Sequence, residues 1–312
     1  MTATHEIVGA TNGAPLVSVG LPTYNRASRL RRAVESVLAQ DYPNLELIIS
    51  DNASGDGTQA LCEEFRRLDG RVRYVRQPVN LGLIKNFEFV LTQARGEFFV
   101  WLADDDWFDP AYLSECARVL SAHAELGLVC GRDKYYEDGR FLFESEPINL
   151  PQASGAERVL SYYRQVSVNG TFYGLMRREQ LTKIPFYDVF GGDWLLVAQV
   201  AFQSQVKTVD SVAINRSVTG ASQDIHNLAA KSGLSKFMVK NPHLKIALTV
   251  FDDIVRHSSP YRSMSLTERV ALASRCSVAI CKKYCVPDWH QRLYGWAKRV
   301  EAGVKHGFRG VQ

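Results

Sequence analysis

The sequence has no apolar run approaching the ~18 residues needed to cross a bilayer as a helix. Its opening stretch, Met1 to Ala14, is polar and lacks the apolar centre of an export signal. A soluble or peripheral cytoplasmic protein is therefore expected. Cysteine is scarce, and Cys62, Cys116, Cys130, Cys276, Cys281 and Cys285 show none of the paired C-x-x-C spacing of a zinc site. Scattered in this way they read as small buried apolar residues in a reducing compartment. No internal repeat, low-complexity tract or nucleic-acid-binding motif is present, so nucleic acid is not an expected partner.

The chain itself is ordinary in composition. Its 312 residues are 46% hydrophobic and 22% charged, enough for one large α/β domain with an extension. The net charge of +4 conceals an asymmetry. From Lys231 onward there are fifteen Lys and Arg against five Asp and Glu, whereas the preceding part carries twenty-two against twenty-eight.

From Pro15 the pattern alternates strand and helix. Leu16 to Leu21, Leu45 to Ile49, Val72 to Val75 and Phe98 to Leu102 are short apolar runs. Between them Arg29 to Ala39, Thr58 to Leu68 and Ile84 to Ala94 carry apolar residues at helical spacing. Apolar strands separated by helices imply a mostly parallel sheet covered on both faces. Ligands on such sheets bind beyond the carboxyl ends of the strands. That rule selects four polar loops: Pro22 to Arg26, Asp51 to Thr58, Gln77 to Gly82 and Ala103 to Asp106. Further on, the pattern predicts a helix from Asp109-Pro110 to His123, a strand at Gly127 to Cys130 and irregular chain from Tyr135 to Gly155. A helix over Ala156 to Gln165, one from Asp193 to Phe202 and a strand from Val206 to Ile214 follow, with helices only beyond His226.

Asp104-Asp105-Asp106 ends the most apolar strand. Three adjacent carboxylates repel one another, and burying them unpaired is costly. A hard divalent cation, Mg²⁺ or Mn²⁺, would relieve this. A solvated acidic turn leading into Trp107 is the simpler alternative.

Five segments carry a specific resemblance. Val17-Ser18-Val19-Gly20-Leu21-Pro22-Thr23-Tyr24-Asn25-Arg26, the helix Ala33 to Gln40 with Tyr42-Pro43, Leu47 to Thr58, Asn80-Leu81-Gly82 with Asn86, and Trp101 to Asp106 resemble, in order and spacing, family 2 glycosyltransferases of the GT-A fold. The resemblance implies an inverting transfer of a sugar from a nucleoside-diphosphate donor to an acceptor hydroxyl. It also implies roles for the matched positions. Pro22, Thr23 and Tyr24 would hold the nucleoside, Asp51 its base, and Asn80 and Lys85 would lie at the donor. Asp104 and Asp105 would meet the donor, Asp104 at the ribose, and Asp106 would bind Mg²⁺ or Mn²⁺.

The same resemblance assigns the base to Asp193 in Gly191-Gly192-Asp193-Trp194, although relatives usually carry Glu-Asp there. Asp193 also suits a helix N-cap. Arg216, in Ile214 to Ser222, matches a stretch that closes over the diphosphate, but the histidine expected in register is missing, and His226 lies later. Asp56, Asn80 and Gly82 have turn chemistry as their alternative, and Lys85 that of a solvated helix charge.

The expected organisation is a catalytic domain over 15–226, with a nucleotide-sugar half at 15–110 and an acceptor half at 111–226, then a basic helical region over 227–312. In that region Trp289, Leu293, Trp296, Val300 and Val304 recur at helical spacing beside Arg292, Lys298 and Arg299. Such a helix can lie on an anionic membrane surface or pack on the domain. A membrane-side site would suit a lipid-linked saccharide acceptor in surface polysaccharide or glycolipid assembly. Two other readings remain at this stage: a metal-dependent nucleotidyltransferase, disfavoured by the lack of a Gly-rich basic loop after the first strand, and a non-catalytic nucleotide-sugar-binding module.

Overall fold

The computed structural model describes residues 13–218, 225–257 and 260–285. Two strands form its centre, β1 (Val17–Thr23) and β2 (Leu45–Asp51), and every residue of both is buried. Their continuous apolar runs are what a strand needs when both sheet faces are covered. Helix α1 (Ala27–Leu38) follows β1 and buries Leu30, Ala33, Val34 and Val37, one stripe of its surface. Helix α2 (Thr58–Leu68), strand β3 (Val72–Arg76), helix α3 (Leu83–Gln93) and strand β4 (Phe98–Trp101) complete a doubly wound half.

The second half contains β5 (Trp107–Phe108), α4 (Tyr112–Ala122), β6 (Leu126–Glu137), β7 (Arg140–Glu144), α5 (Gly155–Gln165) and a 3₁₀ turn at Gly170–Tyr173. It continues through β8 (Leu175–Arg177), α6 (Arg178–Leu181), α7 (Gly192–Gln203) and β9 (Gln205–Ser217). The sheet order is β3-β2-β1-β4-β8-β6-β9-β5, with β7 paired to β6 alone. Strands β1 to β4 pair in parallel, as do β6 and β9. The short β8 is antiparallel to both β4 and β6, so β6 and β9 point the same way as β1. All the long strands therefore end on one edge.

Two apolar clusters cover the two faces: α1, α2 and α4 on one, and α3, α5 and α7 on the other. The latter face also receives the chain beyond the sheet, α8 (Ile225–Lys231), α9 (Lys236–Lys240), α10 (Pro242–Asp252) and α11 (Leu266–Ile280). Ser265 and Glu268 form a reciprocal capping box at the start of α11. Among the described residues no helix is long and apolar enough to cross a membrane. The tryptophan-bearing segment Trp289 to Val304 and the first twelve residues lie outside the described residues.

Three expectations are corrected. Residues 135–155 are not simply irregular: β6 runs to Glu137 and turns into β7 through Asp138-Gly139, both at positive φ (47° and 81°). That dipeptide is the preferred two-residue hairpin turn, because left-handed backbone at both positions matches strand twist. The helix after Asp109-Pro110 starts only at Tyr112. Asp193 is not an N-cap: that position belongs to Gly191, with φ 84°, and Asp193 lies inside the first turn.

Candidate active site

The carboxyl edge gathers the end of β1, the loop after β4 and the end of β9. Helix α7 leads back into β9, so its first turn starts at that same edge. The carboxylate triplet, Arg216 and Asp193 are thereby drawn toward one another from positions far apart in the chain.

Asp104 accepts a hydrogen bond from the Thr23 hydroxyl at 2.7 Å, and the Arg26 guanidinium lies 3.8 Å away. Arg29 stands 3.8 Å from Asp105. Arg32 donates to the main-chain oxygen of Asp105 at 3.3 Å and lies 3.5 Å from the ring centre of Trp107. Three arginines at i, i+3 and i+6 thus line the start of α1 and face the acidic loop. The sequence reading did not single out Arg29 or Arg32, although that spacing puts them on one helix face. Burial pushes the Asp104 carboxyl up to about 6 against the opposing bond from Thr23.

Asp106 is almost wholly buried, and both of its oxygens have partners. Oδ2 lies 3.2 Å from Nε of Arg216, and Oδ1 accepts the main-chain N–H of Ser217 at 3.0 Å. Arg216 also donates to the Tyr135 hydroxyl at 2.9 Å and lies over the Tyr173 ring at 4.8 Å. Burial pushes the Asp106 carboxyl up to about 7, with Arg216 pulling the other way. The guanidinium stays charged beside it.

The donor set suits a hard cation in one particular form. Among the described residues no three His, Cys, Asp or Glu side chains gather to hold an ion by themselves. Magnesium-type sites commonly take one or two carboxylates and complete their shell with substrate phosphate and water. The Asp106 carboxylate fits that shared arrangement, with oxygen as its only donor atom, and Arg216 now occupies one side of it.

The positions expected near the nucleoside separate into two groups. Pro22 and Thr23 are buried, whereas Tyr24 is 45% exposed at the mouth of the edge. Asp51 is fully buried, its oxygens taken by the Ser54 N–H at 2.8 Å and the Tyr74 hydroxyl at 2.9 Å, with Arg76 at 3.7 Å. Its carboxylate thus builds the loop that borders the edge. Asn80 accepts from Asn52 and from the Gly82 N–H, both at 2.8 Å, and Gly82 has φ 87°. Those two residues make a turn. Asp56 caps two helix starts through the N–H groups of Thr58 and Ala27. Lys85 is exposed on the first turn of α3.

Asp193 is open to solvent yet crowded by protein on its other sides, and the resulting desolvation raises its pKa. Asn169 donates to its Oδ2 at 2.9 Å. At Gly192, where the family resemblance implies an acid, a Cβ would fall 2.8 Å from the main-chain oxygen of Tyr187, so a side chain there requires the backbone to shift. Asn169 escaped the sequence reading, as did Asp133, whose buried carboxyl is pushed up to about 6 by desolvation. Neither sits in a short motif; only the fold brings them to the edge. His226 lies in α8 with a ring nitrogen 2.7 Å from the Val239 oxygen. The stretch 219–224, which belongs to the segment expected to close over the diphosphate, lies outside the described residues.

Known structures share this architecture. Staphylococcus aureus TarS 1-349, crystallised with UDP-GlcNAc, superposes with a TM-score of 0.60 at 17% identity, covering 86% of this chain and 73% of that one. The mannosyltransferase PcManGT of Pyrobaculum calidifontis, solved with GDP-Man and Mn²⁺, gives 0.57 at 17% identity, covering 93% and 81%. The fold is thus that of the GT-A class. A sequence model described as glycosyl transferase family 2 matches residues 18–184, and the chain belongs to that family. It is 29% identical over 182 residues to the GalNAc(5)-diNAcBac-PP-undecaprenol beta-1,3-glucosyltransferase of Campylobacter jejuni, 57% of each chain. The chain spans about half the length of the curated relatives it matches.

Proposed function

We propose that the chain is an inverting glycosyltransferase that moves a sugar from a nucleoside-diphosphate donor to a saccharide or lipid-linked saccharide. The observation that carries this reading is the meeting of Asp104, Asp105, Asp106, Arg216 and Asp193 at the carboxyl edge of one sheet in a family 2 chain. In this reading 15–110 binds the donor and 111–226 binds the acceptor, and the described residues between 227 and 285 form helices packed on the catalytic domain. The undecaprenol in the Campylobacter relative's name supports a lipid-linked acceptor, and with it a peripheral position at the inner membrane face.

Asp106 would hold a Mg²⁺ or Mn²⁺ ion, whose charge offsets that growing on the departing diphosphate. Asp104 would accept a hydrogen bond from a ribose hydroxyl, and Arg216 would bond the phosphate oxygens. Asp193 takes the proton of the acceptor hydroxyl as that oxygen bonds to the anomeric carbon. The bond from this carbon to the diphosphate oxygen breaks, its electrons leave with the nucleotide, and the configuration inverts.

Thermal shift with Mn²⁺ and a panel of nucleotide sugars tests the reading, because stabilisation follows affinity. Stabilisation by at least one sugar nucleotide, with hydrolysis or transfer of its sugar, is expected. A response to free nucleoside triphosphates alone would favour nucleotidyl transfer, and binding without turnover to any tested acceptor would favour a non-catalytic module.

A further inference from the structure

Asp193 does not stand alone at the start of α7. Asn169, at the end of the segment that follows α5, donates from Nδ2 to its Oδ2 at 2.9 Å. The oxygen of the same amide accepts a 2.8 Å bond from the hydroxyl of Tyr162, which is wholly buried on α5. Tyr162 has no charge to offer, because burial raises its pKa well above the ordinary value, so it acts as a donor. A donor on the amide oxygen fixes which way the amide faces, and the NH₂ group must then point at Asp193.

The turn carrying Asn169 is also locked from its other side. Gly170 packs so tightly on Asp133 that a Cβ there would lie 1.6 Å from a carboxyl oxygen. Asn169 is itself 9% exposed. The amide therefore reaches Asp193 from a closely packed and largely buried position, and geometry held by packing is what a proton-transfer group requires.

We propose that Asn169 is a positioning residue for Asp193, holding one carboxylate oxygen so that the group keeps its ionised form and a single orientation toward the acceptor. This rests on the reading of Asp193 as the base. Besides Asn169, the N–H groups of Asp193 and Trp194 on its own helix and the charge of Arg216 from β9 act on Asp193, with Tyr173 of the 3₁₀ turn and Tyr162 of α5 in its electrostatic neighbourhood. Of these only Arg216 carries a charge at neutral pH. Asn169 is the side-chain bond that most favours the anion, against a desolvation that disfavours it.

The test is the pH dependence of kcat and KM for wild type, Asn169→Ala and Tyr162→Phe, with Asp193→Asn in the same assay. Losing the amide should lower kcat about tenfold and move the acid limb up by about one pH unit, with the donor KM unchanged. Tyr162→Phe, which keeps the ring and removes only the hydroxyl, should move the limb in the same direction by less. Limbs that coincide with wild type in both variants, while circular dichroism reports an intact fold and Asp193→Asn is inactive, would overturn the inference alone. Wild-type turnover by Asp193→Asn would overturn the base assignment and the inference with it.

Discussion

Arg216 and Asp106 form a buried ion pair, Nε to Oδ2 at 3.2 Å, across 110 residues of sequence. The pair joins the end of β9 to the loop after β4, and it puts a fixed cation on the carboxylate that a divalent ion would share. If Asp106 holds a divalent ion as proposed, Arg216 and that ion would compete for one side of the carboxylate until a diphosphate supplied anionic oxygens for both.

Arg216→Gln is accordingly expected to bind Mn²⁺ about tenfold more tightly than wild type when no donor is present, because a like charge has been removed from its neighbourhood. Electron paramagnetic resonance titration of free Mn²⁺ reads this directly. The variant should also melt earlier, since an unpaired buried partner costs about 3–5 kcal/mol, and Mn²⁺ should restore part of that loss. Unchanged or weaker Mn²⁺ binding would mean that the guanidinium does not compete for Asp106.

Gly170→Ala should destabilise the protein by about 1–3 kcal/mol, the usual cost of forcing a methyl into a filled site. The methyl would meet the Asp133 carboxyl, so the carboxyl or the turn must shift to admit it. Denaturant unfolding measures the change. A loss of less than about 0.5 kcal/mol, the range of neutral surface changes, would show that the turn can open without penalty.

Asp253 provides a pH prediction that is independent of the site. It is buried, bonded through both oxygens to the Gln199 amide at 3.1 and 3.2 Å, and desolvation pushes its pKa up to about 7. Below the unfolded value of about 4 the proton stays on in both states and the residue costs nothing. Between there and about 7 the unfolded chain ionises first, so stability declines as pH rises and levels off above that point. Asp253→Asn cannot ionise, and its new NH₂ can serve the Gln199 oxygen, which is buried without a partner. The stability gain of the variant over wild type should be larger near pH 8 than near pH 4. A gain that does not depend on pH would contradict the assignment.

Much of the first half, through β4, was legible in the sequence because its strands are continuous apolar runs and its loops are rich in turn formers. Asp56 and Gly82 behave as turn chemistry requires. The second half was less so. Strands β5 and β8 have two and three residues, too few for any periodicity to register. The β6–β7 hairpin did announce itself through Asp138-Gly139, but exposed aromatic residues on β7 obscured the alternation. Asp51 was expected at the base of the donor, and its oxygens also serve Ser54 and Tyr74; an aspartate's motif does not say which lone pairs the fold uses. Asn169 and Tyr162 were invisible for a related reason. Tyr162 bonds Asn169, and the Asn169 bond to Asp193 links residues 24 apart with the 3₁₀ turn, β8 and α6 between them.

The most direct test is the initial rate of sugar transfer by wild type and Asp106→Ala, measured over a range of Mn²⁺ concentrations with the donor identified by thermal shift. A carboxylate that anchors the ion on the leaving diphosphate predicts a rate at least about 10²-fold lower in the variant and no remaining response to Mn²⁺. Equal rates with the same Mn²⁺ dependence would contradict it.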